Sequence, residues 1–399
     1  MISFPDAYQL VTQDLTDFGS EILPLETCVG RVLAEDITAD RDFPPFDRVT
    51  KDGMAIQYDS WEAGQRTFPI TGIAPAGAPQ QSLANATDGI EVMTGAMLPK
   101  NTDTVLMYEH LTIDQGQATL QEPIKKKGQN IHRQGSDDKK GNLILEKGIV
   151  ITPAEIGILA TVGKAAVLVK KLPRVVVAAT GDELVDVAET PLPHQIRKSN
   201  SPTLATLLAL QGISCQQAHL NDDYDTLKQK VSDLIDTSDV LMFSGGVSKG
   251  KFDHLPAVFE ALGITKTFHR VKQRPGKPFW YGKHQASNTH IFAFPGNPVS
   301  TFVNYHSYFL PWLRHCLGLE VKALSVTLTE SFENTTDLTC FIRAQAFVEG
   351  AQLKARLITG NGSGDLASLA FANGLVRLAP EQQCAVGDEV PFLPTRSIV

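Results

Sequence analysis

A multidomain α/β plus β architecture is what this sequence predicts, and three observations carry the prediction. Residues 174–317 alternate apolar, β-rich runs with helical periods, the signature of an α/β unit. Residues 42–145 are rich in Gly, Pro, Thr and Asp and show no long helical period, which points to a small β-rich domain of turns and short strands. From Ala323 onward the pattern is all-β, which reads as a small barrel or sandwich. The chain has 399 residues, too many for one ordinary core, and suggests roughly two to four domains.

The elements follow in order. Leu10, Val11, Leu15 and Phe18 stand at helical spacing, predicting an amphipathic helix over 7–18. Loop and strand occupy 21–37. Short β runs such as Thr104-Val105-Leu106-Met107 mark the turn-rich region. Ala154 to Val162 reads as a helix, Ala165 to Val169 as a strand, and Lys170-Lys171-Leu172-Pro173 as a hinge. Arg174 to Ala179 is a strand that runs into Thr180-Gly181-Asp182-Glu183. Ser199 or Asn200 can cap a helix carrying Leu204, Leu207, Leu208 and Leu210, which Gly212 ends. Leu227, Val231, Leu234 and Ile235 mark another helix. Val240 to Phe243 is a buried strand leading into Ser244-Gly245-Gly246, Asp253 can cap the next helix and Gly263 can end it. His290 to Phe294 is a strand followed by Pro295-Gly296-Asn297-Pro298, and one helix spans Val299 to about Cys316. Alternation in Leu324–Leu328, Val376–Leu378 and near Val390 gives the C-terminal strands.

Composition excludes several classes of function. Apolar residues make up 42% and charged residues 20%, as in a folded soluble protein. The net charge of -8 argues against a general nucleic-acid role, which needs a basic footprint. The five cysteines are scattered with no C-x-x-C pair, against a disulfide framework or a structural zinc site. Met1 to Asp6 lacks the basic and apolar regions of a signal peptide, and no apolar run reaches the roughly 18 residues of a membrane span, so the cytoplasm is expected. There is no nucleophile elbow and no His-Glu-x-x-His, and the ten histidines show no metal-ligand spacing.

In open α/β sheets, ligands bind beyond the carboxyl ends of the strands. Three turns fall there: Thr180–Glu183, Ser244–Gly250 and Pro295–Pro298. Any one of them alone is ordinary loop punctuation. In Ser244–Asp253 the glycines let the backbone approach a ligand and the Ser hydroxyls add donors, which suits a phosphate. A bland turn with Asp253 as a helix cap is the competing reading. Arg270, Lys272, Arg274 and Lys277 surround Pro275-Gly276. They form either a solvated basic loop or a clamp for anionic oxygens. The acids Asp52, Asp137, Asp138, Asp182, Glu183, Asp222, Asp223 and Asp253 are candidates for Mg²⁺, which takes one or two carboxylates together with phosphate oxygens and water. Each could equally be a surface or capping residue.

These motifs, in this order, resemble the MoeA family, which includes the E domain of gephyrin. Asp42 to Asp47 leading to Asp52-Gly53-Met54-Ala55 is similar to the family's D-x-P-x-F-D…M-D-G-Y-A segment, with Lys51 for the usual Met and Met54 for the usual Tyr. Thr94-Gly95-Ala96 with Pro99, Asp103, Val105 and Glu109 is similar to T-G-A-x-x-P-x-x-x-D-x-V-x-x-x-E. Gly128 to Asp137 resembles G-x-N-I-R-x-x-G-x-D, with His132 for Arg. Thr180 to Leu184, Ile196 to Asn200 (Lys198 replacing Asp), Ser244 to Asp253, Pro275 to Pro278, Phe294 to Ser300 and Gly362-Ser363-Gly364 continue the match over nearly the whole chain.

The resemblance implies a four-part chain. An elongated N-terminal lobe would cover 1–43 with 143–172, an inserted β-rich domain 44–142, a molybdopterin-binding α/β domain 173–320 and a C-terminal β-barrel 321–399. It implies a molybdopterin molybdenumtransferase that inserts molybdate into adenylylated molybdopterin with Mg²⁺-dependent release of AMP. It also implies an elongated homodimer whose cleft lies between the α/β domain of one subunit and the inserted domain of the other. The adenylyltransferase that makes the pterin nucleotide and molybdoenzyme chaperones would be partners, and neither nucleic acid nor membrane would be. Carried over residue by residue, Asp52, Thr94, Glu183, Asp253, Arg270 and Arg274 would be catalytic. Gly181, Asp182, Ser244, Gly245, Gly246, Ser248, Lys277, Pro295, Gly296, Asn297 and Ser363 would bind the pterin nucleotide, with Arg343 a lesser candidate. Asp52, Asp137, Glu183, Asp222 and Asp253 would hold Mg²⁺. A non-catalytic scaffold or pterin-binding member of the same family is the alternative.

Overall fold

The computed structural model describes residues 1–248 and 253–398. The chain divides into two compact units. One comprises Met1–Ile22, Gly30–Val32 and everything from Leu168 onward, and the other Leu23–Val29 with Leu33–Val167.

The first unit is built on a six-stranded sheet in the order Cys215–Leu220, Val175–Thr180, Val240–Ser244, Thr289–Phe294, Trp280–His284, Ile264–His269. The first four strands are parallel, Trp280–His284 runs antiparallel to both its neighbours, and Ile264–His269 therefore points the same way as the first four. Val175–Thr180 and Val240–Ser244 are buried at every position, as continuous apolar runs in a two-sided sheet should be. Val177, Met242 and Phe292 pack on one face with Leu204 and Leu208 of helix Asn200–Ala209. Val176, Leu241 and Ile291 pack on the other with Leu227 and Val231 of helix Tyr224–Thr237 and with Val258 and Phe259 of helix Leu255–Ala261. After Val175–Thr180 the chain first adds a strand on one side and then crosses to the other. The ends of Val175–Thr180 and Val240–Ser244 are therefore the switch point where such sheets hold ligands.

The C-terminal strands close into a five-stranded barrel. Thr339–Glu349, Gln352–Leu357, Leu324–Leu328, Glu389–Pro394 and Gly374–Leu378 pair in turn, and the last returns to the first. Val326, Ala344, Ala355, Val376 and Phe392 fill its interior.

Several elements differ from expectation for local reasons. The first helix is Phe4–Gln13 rather than 7–18. Ser3 caps it by accepting from the Asp6 N–H, and Asp14 leaves the helix to receive the Tyr281 hydroxyl and the Lys283 ammonium. The expected helix from Val299 is three consecutive pieces, Pro298–Asn304, a π turn Tyr305–Phe309 and Leu310–Cys316. Pro311 has no N–H to give to the carbonyl four residues back, which widens the preceding turn. Residues 270–277, read as a loop, contain the strand Val271–Arg274, which runs parallel to Thr339–Glu349 beside the barrel.

The second unit carries a six-stranded sheet ordered Thr104–Met107, Gly53–Ile56, Gly89–Val92, Thr67–Ala74, Gln117–Leu120, Leu111–Asp114. Val49, Ala55, Ile90 and Val105 pack in one apolar cluster, and Met54, Phe68, Leu106 and Ala118 in another. Helix Pro153–Thr161 begins with a full capping box, Thr152 with Glu155. Among the described residues, no helix is long and apolar enough to cross a membrane.

Candidate active site

The three turns expected at strand ends converge on one cavity of about 490 Å³. Thr180, Gly181 and Glu183 line it from the first turn, Ser244 to Ser248 from the second and Pro295 to Pro298 from the third. Lys249 and Gly250, the rest of the second turn, lie outside the described residues.

Asn200, which opens helix Asn200–Ala209, ties the turns together. Its Nδ2 donates to Ser244 Oγ at 2.7 Å and to the Gly296 carbonyl at 2.8 Å. The Gly245 N–H donates to the Phe294 carbonyl at 3.0 Å. Gly245 and Gly246 sit at φ +99° and +72°, and a Cβ on either would come within 2.9 Å of Thr180 Oγ1. The second turn needs glycine both for its backbone angles and for the space that Thr180 occupies. Ser363 reaches the same place from the C-terminal region. Its Oγ accepts from Asn297 Nδ2 at 2.9 Å and its carbonyl from the Val299 N–H at 3.0 Å. Arg343 supports that loop by donating to the Gly362 carbonyl and to Ser368 Oγ.

Glu183, Asp222 and Asp253 line the cavity, while Asp182 Oδ1 accepts from the Asp222 N–H at 3.3 Å. Burial first, and then the charges of Asp182 and Glu183, push the Asp222 carboxyl above the usual range. The neighbouring pair 222–223 divides its work, since Asp223 caps helix Tyr224–Thr237 by accepting from the Thr226 N–H at 2.9 Å. Asp253 does not cap the next helix as expected: helix Leu255–Ala261 starts after His254, with no side-chain cap.

The cations are arranged differently from the clamp reading. Arg197 and Lys198 line the cavity, whereas Arg270, Arg274 and Lys277 do not. Lys272 pairs with Asp337 at 3.3 Å. Between them Gln273 is fully buried and donates to Asn304 Oδ1 at 2.7 Å. Arg274 and Lys277 are exposed.

Asp52, Thr94 and Asp137 belong to the second unit. Asp52 Oδ1 accepts from the Thr94 N–H at 2.6 Å and from its hydroxyl at 2.7 Å, and these two donors hold the carboxyl below its ordinary value. Lys51 makes no ion pair with Asp52 among the described residues. Asp137 Oδ1 meets His132 Nε2 at 2.7 Å.

No three His, Cys, Asp or Glu side chains form a ready-made metal cage among the described residues. Mg²⁺ does not require one, because it keeps water and phosphate oxygens around one or two carboxylates. Glu183 and Asp222, which feel each other's charge, fit that demand, and Asp253 lines the same cavity. Burial is the larger cause of the raised Asp222 carboxyl, and the repulsion from Asp182 and Glu183 that adds to it is what a bound cation would relieve. Sequence reasoning named Thr180 only as part of the Thr180–Glu183 turn and Lys198 only as a departure within a motif, and it did not single out Ser201, Arg197 or the linking role of Asn200. The signals available were the motifs Thr180–Leu184 and 196–200.

Residues 2–163 match the model of the MoeA N-terminal region (domain I and II), residues 176–315 a probable molybdopterin binding domain, and residues 325–395 the MoeA C-terminal region (domain IV). The chain is similar to a molybdopterin molybdenumtransferase of Synechocystis, 37% identical over 397 residues, covering 98% of this chain and 99% of the relative. A Staphylococcus aureus protein of the same name is 34% identical over 94% of this chain and 91% of its own. A crystal structure of the molybdopterin biosynthesis MoeA protein from Pyrococcus horikoshii superposes with a TM-score of 0.80 at 27% identity, covering 98% of this chain and 99% of that one.

Proposed function

The chain belongs to the MoeA family and is a transferase of molybdenum cofactor biosynthesis, and on that premise we propose that it inserts molybdate into adenylylated molybdopterin with Mg²⁺-dependent release of AMP. One observation carries this reading: a cavity at the switch point of the sheet, floored by two positive-φ glycines, with Glu183, Asp222 and Asp253 on its wall together with Arg197 and Lys198. Such a cavity suits a polar, phosphorylated ligand with a metal ion between its oxygens and the acids.

In this reading Glu183, Asp222 and Asp253 hold Mg²⁺, which would draw charge from the phosphoanhydride as it breaks. Gly181, Asp182, Ser244, Gly245, Gly246, Ser248, Pro295, Gly296, Asn297 and Ser363 surround the pterin nucleotide, and the Asn200 and Ser363 hydrogen bonds keep the turns in register. Asp52, Thr94, Asp137, Arg270, Arg274 and Lys277 remain proposed participants. The four-part domain division, the homodimer, a cytoplasmic location and contacts with the adenylyltransferase and molybdoenzyme chaperones go with the same reading.

The test is a single turnover with adenylylated molybdopterin, Mg²⁺ and molybdate, following AMP and molybdenum cofactor together. Both products should appear with the native chain, and both should be lost in Glu183→Ala. Binding of the pterin nucleotide without AMP release would falsify the transferase mechanism.

A further inference from the structure

Two short strands of the second unit, Arg48–Val49 and Ile131–His132, pair antiparallel with Arg48 opposite His132 and Val49 opposite Ile131. Opposed residues share a face of a ladder, and successive residues alternate between faces. Val49 is buried and Ile131 packs against its apolar cluster. Arg48 and His132 therefore stand together on the outer face. There Arg48 Nη2 lies 3.1 Å from His132 Nδ1, and His132 Nε2 lies 2.7 Å from Asp137 Oδ1.

The direction of this chain of bonds follows from its members. A guanidinium only donates, so His132 Nδ1 accepts from Arg48. The ring proton is then on Nε2, which donates it to Asp137 Oδ1. Asp137 Oδ2 takes no hydrogen bond among the described residues. Arg133, the neighbouring cation, is committed elsewhere, since it pairs with Asp47 at 2.5 Å. The Asp137 N–H donates to the Phe43 carbonyl at 2.9 Å, which holds the backbone of this turn. Side chains this open to solvent gain little stability from pairing, so a three-membered chain of them calls for another use.

We propose that Arg48 is a positioning residue of the transfer reaction: it keeps the His132 proton on Nε2, so that the imidazole grips Asp137 Oδ1 and leaves Oδ2 open to the reaction. This rests on the reading of Asp137 as a participant in the transfer. The motif that residues 128–137 resemble has arginine where this chain has His132. A guanidinium carries several N–H donors and needs no help to present one. A neutral imidazole carries one, on either nitrogen, and the bond made by the other nitrogen decides which. Arg48 supplies that second bond, so Arg48 and His132 together present the donor that a single arginine would.

Nitrogen NMR of the full chain labelled at histidine reads the tautomer, with His132 assigned by its loss in His132→Gln. The native chain should show His132 protonated at Nε2 alone, and Arg48→Met should bring in the form protonated at Nδ1. Single turnovers with adenylylated molybdopterin, Mg²⁺ and molybdate read the consequence. Arg48→Met should slow AMP release about ten-fold, the weight of one hydrogen bond to a charged group. Arg48→Lys, which keeps a donor, should recover most of that loss. In a His132→Arg background Arg48→Met should cost no more than about two-fold, because Arg48 acts only through the imidazole. A native His132 protonated at Nδ1, a tautomer that Arg48→Met leaves unchanged, or an undiminished loss in the His132→Arg background overturns the inference. So does native turnover in Arg48→Met when Asp137→Asn is slow. Native turnover in Asp137→Asn overturns the reading of Asp137 itself, and the inference with it. A native chain that releases no AMP overturns the transferase reading and this role together.

Discussion

Asn200 Nδ2 lies 2.7 Å from Ser244 Oγ, so a residue of the helix start holds a residue of the glycine turn. The same amide reaches the Gly296 carbonyl, so one side chain joins three segments that come together only in the folded sheet. Asn200→Ala removes both bonds. We expect a stability loss of about 1–3 kcal/mol and a fall in turnover of ten-fold or more, because the turns lose their common anchor. Urea unfolding and single-turnover rates check the two parts separately. Unchanged turnover would show that the turns hold their places without Asn200.

Gly276 sits at φ +95°, and a Cβ there would lie 2.4 Å from Asn304 Oδ1 and 2.6 Å from Gln273 Nε2. Both of those atoms belong to a buried network in which Gln273 bonds Asn304 and receives the Tyr308 hydroxyl. Gly276→Ala therefore meets backbone strain and an overfilled polar core together. The expected loss is on the order of 2 kcal/mol or more. Thermal and urea unfolding measure it, and a loss under about 0.5 kcal/mol, the range of ordinary surface changes, would contradict the packing.

The Asp222 carboxyl is raised by burial and then by Asp182 and Glu183. An acid whose folded value is raised binds its proton more readily folded than unfolded, so its ionisation costs the folded chain stability. That cost grows as pH rises through the folded value and is absent below the unfolded one. Asp222→Asn should therefore raise the unfolding temperature at about pH 8, and the gain should shrink toward about pH 4. Added Mg²⁺ should stabilise the native chain more than the variant, since binding to the folded state alone shifts the equilibrium by mass action. Equal stabilisation of both would remove Asp222 from the metal set.

The Asp52 carboxyl is lowered, first by the Thr94 N–H and then by its hydroxyl. Thr94→Val removes the second donor and keeps the first. The Asp52 titration midpoint, read by carboxyl NMR, should move up in Thr94→Val and stay low in Thr94→Ser. A midpoint that does not move would assign the whole effect to the backbone.

What the sequence made legible follows its physics. Val175–Thr180 and Val240–Ser244 declare themselves because a strand buried on both faces must be apolar throughout. The glycine turn after Val240–Ser244 is visible because its backbone angles demand glycine. Val271–Arg274 was hidden, because its inward residue Gln273 is polar and, besides the nearby Pro275 carbonyl, is satisfied by Asn304 and Tyr308 from a segment far along the chain. Its outward Lys272 and Arg274 then make the segment look like a charged loop. Ser201 was hidden for the opposite reason. A serine in the first turn of a helix is common, and only the fold shows that its hydroxyl is buried without a partner. Three-dimensional satisfaction of polar groups is information that a local pattern does not contain.

His290 and His306 are buried in the first unit, and burial pushes both imidazoles down to about 4. The Lys283 charge adds to the effect at His290 and Asp14 opposes it, while the Phe302 carbonyl opposes it at His306. An unfolded histidine takes its proton near 6.5. Between that value and about 4 the unfolded chain binds more protons than the folded one, so stability must fall as pH is lowered through this window. The slope contributed by each histidine is at most about 1.4 kcal/mol per pH unit. His306 Nδ1 pairs with the Phe302 carbonyl at 2.9 Å, so His306→Asn can keep a donor there while removing the titrating group. Urea unfolding measured across the window should show a shallower slope for the variant by about one proton. An identical slope would mean that His306 is already charged in the folded chain, which would require an anionic partner at a position where the structure provides only a carbonyl.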